Sequence, residues 1–305
     1  VKVSTKNEYD QLKSVIVGRV ENFKWPDDDS EFDQAISRST YHESLAYKTP
    51  PDYVIQETLE DLDRFCTIME DRGIEVCRSV IDKAHWSYSA RDILLTVGNK
   101  VIQCPTPFAS RAKELELYPF LKDAECDIIE APMPLKKQDP MFDAANVLKM
   151  DDKLLYSVSH SANGAGADWL QQQVGTEFEV IKWRVVEHEI THIDSTILSL
   201  NKNTILVNAS RVKQHQLPRF MRNYKKIWVD DVVPRDFHQF PYASKWIGMN
   251  VFSLDPETIV VDEIQTDLIE KLQANGFKII TTPMRQSRTL GGGLHCVTCD
   301  LERQP

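Results

Sequence analysis

Ile93-Leu94-Leu95-Thr96-Val97-Gly98-Asn99-Lys100-Val101-Ile102-Gln103-Cys104 is an apolar run, a short polar turn and a second apolar run, which reads as a β-hairpin. The same order returns in Val147 to Met150 and Leu154 to Val158 around Asp151-Asp152-Lys153, and in Thr196 to Leu200 and Thr204 to Val207 around Asn201-Lys202-Asn203. A further copy runs from Val251 to Leu254 and from Thr258 to Val261 around Asp255-Pro256-Glu257. Successive turns lie about 50 residues apart, a spacing that marks a repeat architecture. One unit of fold is being reused, and such units bury their faces only by packing on one another around a common axis.

Between the hairpins the period changes to that of helices. Ile55, Leu59, Leu62, Phe65, Cys66 and Met69 share one face of a helix predicted over Val54 to Arg72, ended by Gly73. Thr266 to Ala274, with Gly276 just beyond, reads likewise, as do Gly166 to Val174 and Lys213 to Tyr224. Further strands are expected at Phe178 to Trp183 and Phe277 to Thr281. The run Ser14-Val15-Ile16-Val17-Gly18 at one end and Cys296 to Leu301 at the other supply a fifth unit that closes the ring. The stretch from Glu21 to Asp52, rich in Asp, Pro and Ser, fits no unit and reads as a surface excursion or lid on a single domain spanning 1–305.

Composition narrows the partners. With 305 residues and 42% hydrophobic content the chain can bury a large core. A net charge of -10 argues against nucleic acid or an anionic membrane and suits small, cationic ligands. No apolar run reaches the length of a membrane span, and Val1 to Thr5 shows no signal-peptide pattern. Six cysteines in so long a chain make no disulfide framework, so a reducing, cytoplasmic compartment is expected.

Polar residues stand just before the first strand of successive units: Arg91-Asp92, Phe142-Asp143, His192-Ile193-Asp194, Met249-Asn250 and His295-Cys296. Equivalent positions in a ring converge on its axis. Asp and Asn also cap turns for ordinary reasons, but recurrence in register favours a shared pocket. Carboxylates there suit a planar guanidinium, whose donors form a fixed fork. Its carbon is deactivated by resonance and needs a strong nucleophile; Cys296 is the candidate, the run Gly291-Gly292-Gly293 giving a backbone flexible enough to reach into the site and a bound cation favouring its thiolate. His192 would protonate the leaving amine, with Asp143 holding its ring, and Asp92 and Asp194 would grip the guanidinium.

These residues sit in longer motifs: Leu290-Gly-Gly-Gly-Leu-His-Cys296-Val-Thr-Cys-Asp300, Phe142-Asp143-Ala-Ala, Thr191-His192-Ile-Asp194-Ser-Thr, Arg91-Asp92-Ile-Leu, Ser244-Lys-Trp-Ile-Gly-Met-Asn250-Val and Ser14-Val-Ile-Val-Gly-Arg-Val-Glu-Asn22. Together they resemble arginine:glycine amidinotransferase and its relatives, from about Tyr9 to Asp300. The resemblance implies a five-bladed α/β propeller, the pentein fold, in agreement with the repeat count. It implies transfer of an amidino group from L-arginine to an amine through an amidino-cysteine, with release of ornithine and without metal or organic cofactor. Cys296, His192 and Asp143 take the catalytic positions in that comparison, and Asp92 and Asp194 the guanidinium-binding ones. Arg211 resembles the family's carboxylate-binding arginine and Ser244 its helper.

The departures fall where an acceptor is read. Glycine-using relatives have Asn and Met where this chain has Glu189 and Thr191, changes that open room and add a negative charge. A larger, cationic amine acceptor is therefore expected. The sequence looks most like the cyanobacterial toxin-pathway amidinotransferases, above all those of saxitoxin assembly, with the glycine-using cylindrospermopsin type as rival. Small molecules are the expected partners, and a homodimer is compatible with this reading.

The same residues admit other chemistries. His188-Glu189-Ile190-Thr191-His192 is literally H-E-x-x-H, a zinc-peptidase signature that works only on a helix. The segments on either side are strand-like. Cys296-Val297-Thr298-Cys299 is a C-x-x-C, yet it lies within a strand-like run at the chain's end rather than opening a helix. The glycine run lacks the lysine and following helix of a phosphate loop. A deiminase-like hydrolase would use the same constellation with water as acceptor, and a non-catalytic arginine-binding module would not need Cys296.

Overall fold

A computed structural model describes residues 1–25, 48–80, 86–108, 111–134, 136–185, 192–235 and 242–305. In chain order the elements are β1 (Gln11–Val17), α1 (Asp52–Glu70), β2 (Glu75–Arg78), β3 (Leu94–Val97), β4 (Lys100–Gln103), β5 (Asp127–Glu130), β6 (Val147–Met150) and β7 (Lys153–Ser157). They continue with α2 (Gly164–Val174), β8 (Glu179–Trp183), β9 (Ile197–Asn201), β10 (Thr204–Asn208), β11 (Lys225–Val229), β12 (Phe252–Ser253), β13 (Thr258–Asp262), α3 (Thr266–Ala274), β14 (Lys278–Thr282), α4 (Ser287–Leu290) and β15 (Thr298–Gln304).

The strands form five sheets of three among the described residues. In each, an antiparallel hairpin is extended by a strand lying parallel to its second member, as β5 lies beside β4 and β8 beside β7. The parallel step needs a crossover, which α1, α2 and α3 supply in three of the blades. The first sheet in chain order joins the two ends of the chain, β15 antiparallel to β1 and β1 parallel to β2. The architecture is the five-bladed α/β propeller, closed as the sequence predicts.

Hairpins were legible because their strands are buried on both faces and read as unbroken apolar runs. Leu94–Val97, Val147–Met150 and most of Ile197–Asn201 are buried at every position. Gly98 (φ 58°) and Asp151 (φ 59°) occupy the same turn position in neighbouring blades, and both take the left-handed conformation a two-residue hairpin loop requires. Helix α1 starts two residues earlier than predicted and buries Val54, Leu62, Phe65 and Met69. The helix expected over Lys213 to Tyr224 is replaced by two 3-10 turns, Gln214–Gln216 and Arg219–Met221. Pro218 between them has no N–H to continue a helical ladder. Of the excursion from Glu21 to Asp52, residues 26–47 lie outside the described residues.

Apolar clusters fill the seams between blades. Ile16, Ile93, Val101 and Leu301 join the first two, and Leu95, Ile102, Val147 and Leu154 the next pair. Leu148, Ile197, Ile205, Val251 and Ile259 link the third to the fifth, and Leu12, Phe65, Phe252 and Val260 return to the first. A second, polar core is built of charges. Asp300 accepts from Arg91 at 3.0 Å and from Arg303 at 2.8 Å, and Lys149, 1% exposed, stands 3.8 Å from it. Glu8 faces Arg91 at 3.5 Å from the other side. Burial pulls the Lys149 ammonium below its ordinary range, against the attraction of Asp300 and Glu8.

Removing the shared anion would leave three buried cations with Glu8 alone. Asp300→Asn should therefore cost about 3–5 kcal/mol of stability, the range for breaking a buried ion pair from one side. Urea denaturation of the two proteins measures it, and a loss under about 1 kcal/mol would mean that the network is replaceable.

Candidate active site

The polar segments before the inner strands gather at one end of the ring. Asp143 precedes a 3-10 turn at Ala144–Asn146, His192 one at Ile193–Ser195, and Asn250 follows one at Lys245–Met249. Neighbouring blades are stitched there by backbone: the Ala144 N–H donates to the Asp92 carbonyl at 2.6 Å, and the Arg91 N–H to the Cys296 carbonyl at 3.2 Å.

Cys296 is 3% exposed, and its thiol donates to Asp194 Oδ2 at 3.1 Å. His192 donates from Nε2 to Asp143 Oδ2 at 3.1 Å, and its Nδ1 lies 3.7 Å from Asp92 Oδ1. Asp143 is fixed in turn by the Thr106 hydroxyl at 2.7 Å. The Asp92 Oδ1 atom is buried and has no hydrogen-bond partner among the described residues. With 22% of its side chain exposed, His192 is the member of the group with a route to solvent. Asp92, Asp143, His192, Asp194 and Cys296 are thus brought together as the sequence register predicts.

Arg211 and Ser244 also meet: Arg211 Nη2 donates to Ser244 Oγ at 3.3 Å, and Nη1 donates to Ser195 Oγ at 2.8 Å and Thr196 Oγ1 at 3.1 Å. These partners are neutral, and among the described residues no carboxylate pairs with this guanidinium. Glu189 and Thr191 lie outside the described residues, as does His188. His192 itself has extended backbone (φ -119°, ψ 154°), not the helical conformation that H-E-x-x-H requires. Among the described residues no group of His, Cys, Asp or Glu is arranged to hold a metal.

Asn250 and His295 stand in the predicted register without a role read from the sequence, and Glu8 and Arg111 lie outside that register. Asn250 Oδ1 accepts from the backbone N–H groups of both His295 and Cys296, at 2.8 and 3.0 Å. His295 donates from Nδ1 to Asp194 Oδ2 at 3.1 Å and from Nε2 to Glu8 Oε2 at 2.5 Å. Arg111 donates to Asp92 Oδ2. The glycines ahead of Cys296 serve close approach rather than reach. A Cβ on Gly293 would stand 2.7 Å from Asn250 Cβ, and one on Gly292 2.8 Å from the Tyr88 ring.

The electrostatics follow from this crowd of carboxylates. Burial, reinforced by Asp194 and Asp92, pushes the Cys296 thiol well above its usual range, so it is protonated while no cation is bound. Burial works against charge on His192, yet Asp92 and Asp143 outweigh it and raise the imidazole to about 9. Asp194 is held well below the carboxylate range: burial opposes its charge, but His295 and His192 stabilise it more. A planar cation placed among these carboxylates would be bound by them and would remove their hold on the thiol.

Fold and site define the class: a five-bladed α/β propeller with a carboxylate-ringed cysteine at its centre. No family model matches the chain. It is 34% identical to inosamine-phosphate amidinotransferase 1 of Streptomyces griseus, over 99% of this chain and 97% of that protein. The solved structure of that enzyme superposes with a TM-score of 0.93. An amidinotransferase of saxitoxin biosynthesis from Microseira wollei gives a TM-score of 0.88 at 25% identity, covering 99% and 98% of the two chains. The mitochondrial glycine amidinotransferase of Xenopus laevis is 28% identical over 99% of this chain and 83% of its own length. The chain belongs to the amidinotransferase family. Among the described residues no helix is long and apolar enough to cross a membrane.

Proposed function

We propose that the protein takes the amidino group of L-arginine onto Cys296, releases L-ornithine and passes the group to an amine acceptor larger than glycine. The observation that carries this reading is the Cys296 thiol bonded to Asp194, beside an Asp92 Oδ1 that has no hydrogen-bond partner among the described residues and an imidazolium at His192. Each group fits one step.

The guanidinium binds between Asp92 and Asp194 and cancels the negative field that keeps the thiol protonated. The thiol then loses its proton to solvent, and the thiolate attacks the central guanidinium carbon, forming an S–C bond as one C–N π bond of the guanidinium opens. As the tetrahedral centre collapses, the bond to the ornithine nitrogen breaks, and His192 supplies the proton that nitrogen needs. What stays on sulfur is a planar amidinium, still a cation for the same carboxylates. His192, now neutral and oriented by Asp143, takes a proton from the incoming amine, which attacks the amidinium carbon and expels the thiolate. In this reading Arg211, with Ser244 against it, binds the donor's carboxylate; that its guanidinium carries no ion-pair partner among the described residues supports the role.

The choice of acceptor rests on Glu189 and Thr191 and on the relatives. The relative at 34% identity acts on inosamine phosphate, an amine on a polar ring. The saxitoxin-pathway relative, at 25% identity, supports the second form of the reading, an acceptor from toxin assembly. Steady-state assays with arginine and an inosamine phosphate, a guanidino-bearing amino ketone or glycine separate them. A bulky acceptor should be used at a kcat/KM about tenfold or more above glycine, a difference of about 1.4 kcal/mol at the transition state. Guanidinoacetate formed as efficiently from glycine sinks the large-acceptor reading, and citrulline from arginine alone would make the enzyme a hydrolase.

A further inference from the structure

A site built to bind one guanidinium already contains another. Arg111, 4% exposed, donates from Nη1 to Asp92 Oδ2 at 2.5 Å. Its Nε and Nη2 pair with both oxygens of Glu114, at 2.7 and 2.9 Å, and Nη2 also reaches the Ser89 carbonyl at 3.0 Å. The Trp86 ring covers it at 5.8 Å. Glu114 thus neutralises Arg111 through a bidentate fork, and the charge of Asp92 remains available to a ligand. One Asp92 oxygen is occupied, while the other is buried and has no hydrogen-bond partner among the described residues.

We propose that Arg111 is a positioning residue for the donor: by holding Asp92 Oδ2 it leaves Oδ1 as the single acceptor Asp92 presents, and so lets the guanidinium turn its face to Cys296 instead of being locked in the plane of the Asp92 carboxylate. This rests on the reading of Asp92 as a donor-binding carboxylate. A carboxylate with both oxygens free pairs with a guanidinium through two parallel bonds and sets the plane of the cation itself. Held at one oxygen, the cation keeps the freedom to turn its face toward the sulfur, with Asp194 as the second restraint. Arg111 therefore acts on orientation rather than on affinity.

The test is single-turnover formation of the cysteine adduct from arginine, followed by intact mass, together with the arginine Kd. Arg111→Met should slow adduct formation at saturation by about tenfold or more, with a Kd unchanged or tighter, because Asp92 gains a second free oxygen. Arg111→Lys, which keeps the charge and one bond, should fall between that variant and wild type. An adduct rate within twofold of wild type, or a loss residing wholly in a weaker Kd, overturns the proposal. Glu114→Gln serves if Arg111→Met does not fold. Arg111 then draws on the charge of Asp92, so the Kd should weaken about fivefold at a nearly constant saturated rate, and an unchanged Kd overturns it.

Should wild type form no adduct, the donor reading fails, and the positioning claim is judged by NMR titration of His192, whose Nδ1 lies 3.7 Å from Asp92 Oδ1. An Asp92 no longer held by Arg111 turns toward that ring. His192 should then titrate higher by about half a unit or more in Arg111→Met, and by a smaller amount in Arg111→Lys, which keeps the charge and part of the hold. The lysine variant separates geometry from charge: no shift at all in it overturns the proposal.

Discussion

Cys296→Ala will form no adduct with arginine, and its turnover will fall by roughly 10⁴-fold or more, as expected when a nucleophile is removed. Arginine binding should persist, because the groups assigned to it do not include the sulfur. Asp92 keeps Arg111 on one oxygen, Asp194 keeps His295, and Arg211 keeps Ser195, Thr196 and Ser244. The expected arginine Kd is within a few-fold of wild type. Intact-mass spectra of wild type under single turnover should show the gain of one amidino group, mapped to the peptide holding Leu294 to Val297. No gain on wild type, or an alanine variant that still releases ornithine, would remove the covalent mechanism. A variant that neither binds nor turns over arginine would instead point to damage in the Asp194–His295 pair.

The fold and the reacting groups differ in how far they show in a sequence, and the reason is local. Inner strands buried on both faces are unbroken apolar runs, so the hairpins stand out, and the residues before them inherit the repeat. That register alone located Asp92, Asp143, His192, Asp194 and Cys296. Glu8, ahead of β1, and Arg111, in the turn region after β4, lie outside the repeated frame and touch the site only in three dimensions. One signal was available. Lys149 interrupts the run Val147–Met150 in a strand with no exposed face, where a charge needs buried partners, and those partners are Glu8 and Asp300. The glycines were misread because sequence shows a missing side chain but not what fills its place, here Asn250 and Tyr88. Lys213 to Tyr224 reads as a helix by its pattern, but Pro218 withholds the N–H that one continuous helix needs, and two 3-10 turns form instead.

The charge arrangement also sets the pH dependence. Catalysis as proposed needs a thiolate at Cys296 and an imidazolium at His192 together. In the free protein His192 titrates at about 9, and the thiol lies well above its usual range. Below pH 9 the imidazolium is already formed, so thiol ionisation alone limits kcat/KM, which reports the free enzyme. It should rise about tenfold per pH unit through neutrality and bend near 9, where His192 begins to lose its proton. The profile of kcat should be displaced to lower pH, because in the complex the bound cation offsets Asp92 and Asp194 and eases the thiol's ionisation. His192→Asn removes the group that titrates at 9. Its kcat/KM should be lower by about 10² to 10⁴ and should keep rising past 9 without the bend. A wild-type kcat/KM that is flat from pH 6 to 8 would mean that the thiol is ionised before arginine arrives. The carboxylates facing it would then bind the donor without controlling the nucleophile.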